Sequence, residues 1–346
     1  MLNILFLSDD REDYLADSLL HGLISLDRHK VVDYPKKELL YSGSFTAENR
    51  SQLYGNGFTL YGLLPERQVD RTLIWKRLEA GSFDLVILGN VWRQFGLLPQ
   101  LLQSMRHGRT QLLLLDGDDD PRLYPVSLAR LKQHGLRIPG HLKELAGRLR
   151  YAKRELDLRQ AQHWREMLVP AMLRPELRRL FRSQLLKPEP CSFSIPARWI
   201  RTPDPNRKTK LLPRHIVDDE VRSQLEGSQS DYAFSCQLDY FDDLSQARFG
   251  VTTKRAGWDC LRHYEIAAAG TVPCFRDLQK KPTHCAPHGL TAENCLIYTS
   301  AADLNFQLQS MGSDHYTNLL AASHTWVMEH TTEKAAARLV RTISGS

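Results

Sequence analysis

The sequence predicts an α/β protein with two Rossmann-like domains facing a central cleft, and three observations lead there. Apolar strand-like runs alternate with amphipathic helical runs through the first 120 or so residues, the pattern of a parallel sheet covered on both faces. The same alternation resumes beyond a stretch with prolines at 188, 190 and 196, where the domain junction is placed. At 346 residues the chain is too long for one ordinary core and fits two. Domains are therefore expected over residues 1–188 and 189–346.

"LNILFLSDD" is a continuous apolar run ending in acidic residues, as expected of a buried parallel strand at its carboxyl end. "YLADSLLHGLISL" has helical spacing and "KVVDYP" is a second short strand. "RTLIWKRLEAGSF" predicts a helix, "DLVILGN" a strand, "LLPQLLQSMRHG" a helix and "TQLLLLDGDDD" a strand. Ligands of such sheets sit at the carboxyl ends of the strands. Those ends present Ser8, Asp9, Asp10, Gly89, Asn90, Asp116 and Asp118. Residues 35–68 have few periodic apolar positions, and so long a loop is expected to lie over the cleft. Residues 126 to about 187 predict helices and are basic. In the second half, "KTKLLPRHI" and "YAFSC" read as strands, "YFDDLSQARF" as a helix and "GVTTK" as a strand. "GWDCLRHYEIAAAG" reads as a helix, followed by strands "TVPCF" and "CLIYT" and a helical tail that can pack back across both domains.

Composition is globular, with 42% hydrophobic and 25% charged residues and no low-complexity tract or internal repeat. No apolar run approaches bilayer length, and "MLNILFLSDD" turns acidic too soon for a signal peptide. Six cysteines without paired spacing predict reduced thiols in a cytoplasmic protein. The net charge of +6 is unevenly placed: from Ala129 to Lys187 there are 15 Lys or Arg against 5 Asp or Glu. That excess describes either solvated helical faces or a surface for a polyanion such as nucleic acid, anionic lipid or a phosphate-bearing acceptor.

The densest chemistry lies in "GVTTKRAGWDCLRHYEIAAAGTVPCF", residues 250–275. A helix entered through a tight turn offers free N–H groups and a positive dipole end, which suit phosphate. Lys254 and Arg255 precede that helix, and Arg262 within it can fork onto a diphosphate. Glu265 follows three residues later; a carboxylate there suits a pair of hydroxyls such as a ribose diol. Gly270 lets the backbone pass closely before Pro273 enters a strand. The plainer reading is an i, i+3 surface ion pair between Arg262 and Glu265 beside an ordinary basic loop.

"FGVTTKRAGWDCLRHYEIAAAGTVPCFRDL" resembles the donor-binding core of the GT-B superfamily of glycosyltransferases, especially exostosin-type and related bacterial and viral members. "DDREDYLADSLLHGL", "VVDYPKKELLY", "LYGNGFTLYGLL" and "LLLLDGDDD" resemble the matching amino-terminal parts. The likeness is densest at 248–278 and thinnest at 126–230. It implies that Lys254, Arg255 and Arg262 contact the diphosphate of a nucleotide-sugar donor and Glu265 its ribose, with no further cofactor. One departure stands out: many retaining members carry a second glutamate eight residues before the position of Glu265, and here that residue is Gly257. Stereochemistry is thus left open.

Transfer with inversion needs a carboxylate or histidine by the acceptor hydroxyl. Asp9 or Asp10 is the first choice and Asp116 the second, all at strand ends. "DGDDD" could equally be a polar turn or helix cap. No metal is expected, because Lys and Arg side chains neutralise the diphosphate. Cys274, His284, Cys285, His288 and Cys295 lack zinc spacing, and no nucleophile elbow or Cys–His signature occurs. The expected protein is a cytoplasmic glycosyltransferase with an anionic acceptor. That acceptor is either a membrane-linked glycan precursor met at the membrane periphery or DNA bearing a hydroxylated base. The alternative is a non-catalytic nucleic-acid-binding protein on an α/β scaffold.

Overall fold

The computed structural model of the chain describes residues 1–105, 109–123, 148–160, 188–224 and 234–344. Six strands form the first sheet: β1 (Asn3–Leu7), β2 (Lys30–Tyr34), β3 (Leu85–Leu88), β4 (Gln111–Asp116), β5 (Leu149–Lys153) and β6 (Pro188–Pro190). Their order is β2-β1-β3-β4-β5-β6 and every pairing is parallel. With them come α1 (Tyr14–Ser25), α2 (Ala47–Gln52), α3 (Ile74–Glu79), α4 (Val91–Gln94) and α5 (Leu98–Ser104). Successive strand residues point to opposite faces, and both faces are covered. Ile4, Phe6, Leu85, Ile87, Leu113 and Leu115 pack with the Leu15–Leu23 side of α1. Leu5, Leu7, Val86, Leu88, Leu112 and Leu114 pack with Ile74 and Leu78 of α3 and Leu98 and Leu101 of α5. Continuous apolar runs such as "LLLL" are the consequence of two-sided burial.

The second sheet has β7 (Phe249–Thr253), β8 (Val272–Arg276) and β9 (Leu296–Tyr298), parallel and in that order. Its helices are α6 (Asp219–Ser223), α7 (Gln237–Gln246), α8 (Leu261–Ala268), α9 (Ala301–Ser310), α10 (Ser313–Met328) and α11 (Thr332–Ser344). The tail returns across both domains, as the sequence suggests, as two helices, α10 and α11. Trp326 of α10 stacks on Tyr264 of α8, with ring centroids 5.1 Å apart. Ala336, Val340 and Ile343 of α11 enter the core shared with α1. Gly22 makes that approach possible, since a Cβ there would lie 1.9 Å from the carbonyl oxygen of Thr332.

Three expectations need correction. Residues 149–153, placed in a helical segment, form β5, a buried strand disguised by the Arg150 and Lys153 charges. The rest of the basic segment, 124–147 and 161–187, lies outside the described residues. "KTKLLPRHI" makes only an isolated bridge between Lys210 and Ala247, with Pro213 unable to donate to a ladder. The described part of "YAFSC", residues 234–236, is not a strand.

The packing stores several neutral histidines. Burial holds His21, His288 and His330 down to about 4 and His215 and His263 down to about 3. Between those values and the unfolded value near 6.5 the unfolded chain binds protons that the fold refuses, so stability rises with pH there. Burial raises Asp17 and Asp259 to about 6, which acts in the opposite sense between roughly 4 and 6. Burial also lowers His29 and His324 and raises Asp9, Asp116 and Glu265, so among the described residues seven imidazoles act against five carboxyls. The urea midpoint is therefore expected to fall steadily from pH 7 to pH 5, with net proton uptake on unfolding.

Candidate functional site

β7 delivers the chain to the carboxyl edge of the second sheet at Thr253, and residues 254–260 turn tightly into α8. Gly257 is at the point of closest approach: a Cβ there would lie 2.4 Å from Glu155 Oε1 and 2.5 Å from an Asp119 oxygen. The turn is gripped from the first domain. Glu155, just beyond β5, accepts the N–H groups of Trp258 (2.9 Å) and Asp259 (3.0 Å) and the Cys285 thiol (3.0 Å). Arg154 donates to the Asp259 carbonyl (2.8 Å), to Glu155 (2.8 Å), to the Gly117 carbonyl (3.0 and 3.2 Å) and to Asp119. Its guanidinium also stacks 4.6 Å from the Phe193 ring centroid. Asp259 in turn accepts Phe193 N–H (2.7 Å) and the Tyr264 hydroxyl (2.8 Å), and burial pushes its carboxyl up to about 6, partly opposed by Arg154.

A cleft of about 770 Å³ opens beside this seam, between the carboxyl ends of the two sheets. Arg255, Cys260, Leu261, Arg262 and Glu265 line it from the second domain; Glu12, Asp13, Asn90, Arg93, Asp118 and Asp119 line it from the first. The N-cap position of α8, Cys260, makes no side-chain cap, so the helix presents uncapped amides and its positive end there. Among the described residues neither Arg255 nor Arg262 forms an ion pair. That removes the plainer reading of Arg262 and Glu265 as a surface pair, because the Glu265 oxygens are held elsewhere. One accepts the Thr59 hydroxyl and the other the Tyr240 hydroxyl at 2.8 Å. Burial raises the Glu265 carboxyl above its usual range. Each oxygen retains acceptor capacity for a further donor.

Two expected donor contacts lie outside the cleft. Lys254 faces a neighbouring cavity of about 990 Å³, its Nζ 5.7 Å from the Trp258 ring centroid; Arg255 borders both cavities. Gly270 sits at the far end of α8 at φ +70, donating to the Ala267 carbonyl (3.0 Å) and lying against Pro203. It ends a helix and touches no ligand space.

The carboxylates expected as bases lie as follows. Asp116 is fully buried (0% exposed), held by Trp92 Nε1 (2.8 Å), Lys153 Nζ (3.0 Å) and the Tyr151 hydroxyl, with burial raising its carboxyl. Asp9 is paired with Arg93 (2.8 Å) and does not line the cleft. Asp10 is exposed and also outside it. Of the cleft carboxylates, Asp13 is consumed by capping α1 and by Asn90 and Arg93, both 2.7 Å away. Asp119 is tied to Arg154. Asp118 accepts the Asp120 N–H at 2.9 Å through one oxygen. The loop expected over the cleft does reach it: Tyr54, Gly55 and Phe58 line the wall.

Sequence reasoning missed Arg154, Glu155 and Thr59. Alternating Leu149 and Tyr151 were the available signal for a strand ending at Arg154–Glu155. Nothing local marks Thr59, whose φ of +78 is set by its contacts.

Among the described residues no helix is long and apolar enough to cross a membrane, and no group of three or more His, Cys, Asp or Glu could hold a metal. No protein-family model matches the sequence, and neither does any curated protein. Solved structures do match in three dimensions. HepE from Anabaena in complex with UDP superposes with a TM-score of 0.53 at 9% identity, covering 100% of both chains. A glycosyltransferase from Rickettsia africae gives 0.51 at 8% identity over 99% and 98% of the two chains. The trehalose-6-phosphate synthase OtsA gives 0.51 at 10% identity over 99% of each. The chain has the GT-B fold, two Rossmann-like domains around a cleft.

The seam is testable by stability. Glu155→Ala frees two buried N–H groups and removes a partner of buried Arg154. Chemical denaturation is expected to show a loss of about 2–4 kcal/mol; a change near zero would mean the turn is held by other contacts.

Proposed function

We propose that the chain transfers a sugar from a nucleoside-diphosphate sugar to an acceptor hydroxyl. The observation that carries this is a pair of arginines, Arg255 and Arg262, without ion-pair partners among the described residues, at the uncapped start of α8, with Glu265 on the same helix and all three in the interdomain cleft. Arg262 is half-buried and without a carboxylate, which calls for an anion; Arg255 stands exposed at the rim of the same space, and helix amides aimed there favour a phosphate. HepE, which shares the fold, has been crystallised with UDP-glucose, which supports the same ligand class here.

The chemistry follows from the two walls. The acceptor oxygen bonds to the anomeric carbon of the donor sugar as the bond from that carbon to the diphosphate oxygen breaks. The leaving electron pair stays on the diphosphate, where Arg255, Arg262 and the amides of α8 stabilise the growing charge. The acceptor proton goes to a carboxylate of the opposite wall, for which Asp118 and Glu12, each accepting one backbone N–H at 2.9 Å, are the least committed candidates. These fixed cations do the neutralising that a divalent ion would otherwise do.

Glu12, Asp13, Asp118 and Asp119 make the described acceptor wall acidic, and Tyr14, Tyr54 and Trp92 add aromatic surface. Arg93 and Arg154 on the same wall pair with Asp13 and Asp119, leaving Glu12 and Asp118 as its uncompensated acids among the described residues; such a wall suits a neutral sugar hydroxyl better than the phosphates of duplex DNA. An acceptor with a neutral reacting sugar meets this wall, and the excess of Lys and Arg in the sequence from 129 to 187 is what supports a charged portion, as in a phosphate-linked glycan precursor.

Calorimetric titration with UDP, GDP and ADP tests the reading. At least one should bind, and Arg262→Ala should weaken it about tenfold or more, the worth of a charge-assisted hydrogen bond. Absence of binding, or affinity indifferent to Arg262, would contradict the donor site.

A further inference from the structure

The segment after Lys210 runs beside β7. Arg248 and Phe249 donate their N–H groups to the carbonyls of Lys210 and Leu211 at 2.9 and 3.0 Å. The chain then continues toward the carboxyl edge of the second sheet, where ligands of such sheets bind. Alternation in extended chain separates its side chains. Ile216 enters the core with Phe249 and Val251, whereas His215 and Val217 line the cleft.

His215 is 8% exposed, and among the described residues its Nε2 is a buried atom without a hydrogen-bond partner. Its surroundings are aromatic. The Tyr240 ring lies edge-on with centroids 6.4 Å apart, Phe234 is 5.8 Å from Tyr240, and Phe58 stacks at 6.1 Å on the same ring. The Tyr240 hydroxyl binds Glu265, so this aromatic group begins where the carboxylate ends. Burial, then Arg262 and Arg255, hold the imidazole down to about 3, leaving it neutral with one N–H and one lone pair.

Three chemistries therefore adjoin in one cleft: cations, a carboxylate, and an aromatic group with one unsatisfied ring nitrogen. A nucleoside diphosphate has the matching parts in diphosphate, ribose diol and planar base. We propose that His215 selects the nucleobase of the donor, its Nε2 bonding the polar edge of a base that packs against Tyr240, Phe234 and Phe58. A buried polar atom discriminates strongly, because a base that cannot pair leaves it unsatisfied. This rests on the donor-site reading above.

The experiment is calorimetric titration of the wild type, His215→Phe and His215→Asn with pyrophosphate, UDP, CDP, GDP and ADP. The wild type should prefer one base. His215→Phe should bind pyrophosphate as the wild type does, which also shows that it folds. It should lose about tenfold for the preferred diphosphate, collapsing the ranking. His215→Asn, which keeps a polar group, should recover part of the preference. Equal wild-type binding of all four diphosphates, or an unchanged ranking in His215→Phe, overturns the proposal while the donor site stands. Failure of pyrophosphate and every diphosphate to bind the wild type overturns both.

Discussion

The grip of Arg154 and Glu155 on the turn before α8 is the constraint from which the rest of the cleft follows. A guanidinium has five donors in a fixed fork, and here they are shared among two carbonyls and two carboxylates from both domains. A buried charge so completely satisfied is costly to disturb, so the turn has one position relative to the first sheet. That position sets the direction of α8 and places Arg255 and Arg262 in the cleft, without ion-pair partners among the described residues. The division of labour is electrostatic: one arginine is saturated and structural, the other two are left for a ligand. The same seam explains the departure at residue 257. Glu155 and Asp119 already occupy the space a side chain would need, so the glutamate of many retaining enzymes has no room there.

Glu265 links the long first-domain loop to the donor wall. Thr59 holds φ +78, an unfavourable region for a β-branched residue, and is kept there by contacts on every side. Its N–H binds Gln237 (3.1 Å), its carbonyl accepts Trp199 Nε1 (2.7 Å) and its hydroxyl binds Glu265. Strain held by such contacts next to a ligand cleft is a mark of pre-organisation. Under the donor reading proposed above, a ribose diol would meet at Glu265 a carboxylate already oriented by two hydroxyls, rather than one that must be ordered at binding.

Much of this was legible in residue order. The alternation of apolar runs located β1 to β4 and β7 to β9, because buried parallel strands must be apolar on both faces. "KRAGWDCLRHYE" offered Arg255 before a helix and Arg262 and Glu265 three apart within it, and the resemblance to the GT-B donor core singled them out. What escaped notice was everything set by long-range contact. β5 was hidden because Lys153 looks like a surface residue until Asp116, a neighbour across the sheet, neutralises it. Asp116 looked catalytic for the complementary reason: a strand-end aspartate is accessible unless such a lysine claims it. Lys254 and Arg255 are adjacent in sequence and share the neighbouring cavity, yet only Arg255 also reaches the cleft. No local pattern reports that Thr59, His215 and Tyr240 meet around Glu265, since they come from three separate segments.

Hydrogen exchange of the full chain with and without saturating UDP tests the arrangement most directly. The amides of Trp258 and Asp259, bound to Glu155, should exchange slowly in both states, and ligand should add protection at residues 255–262. Fast exchange of those two amides in the free protein, or ligand protection confined to other regions, would contradict a donor site built on this seam.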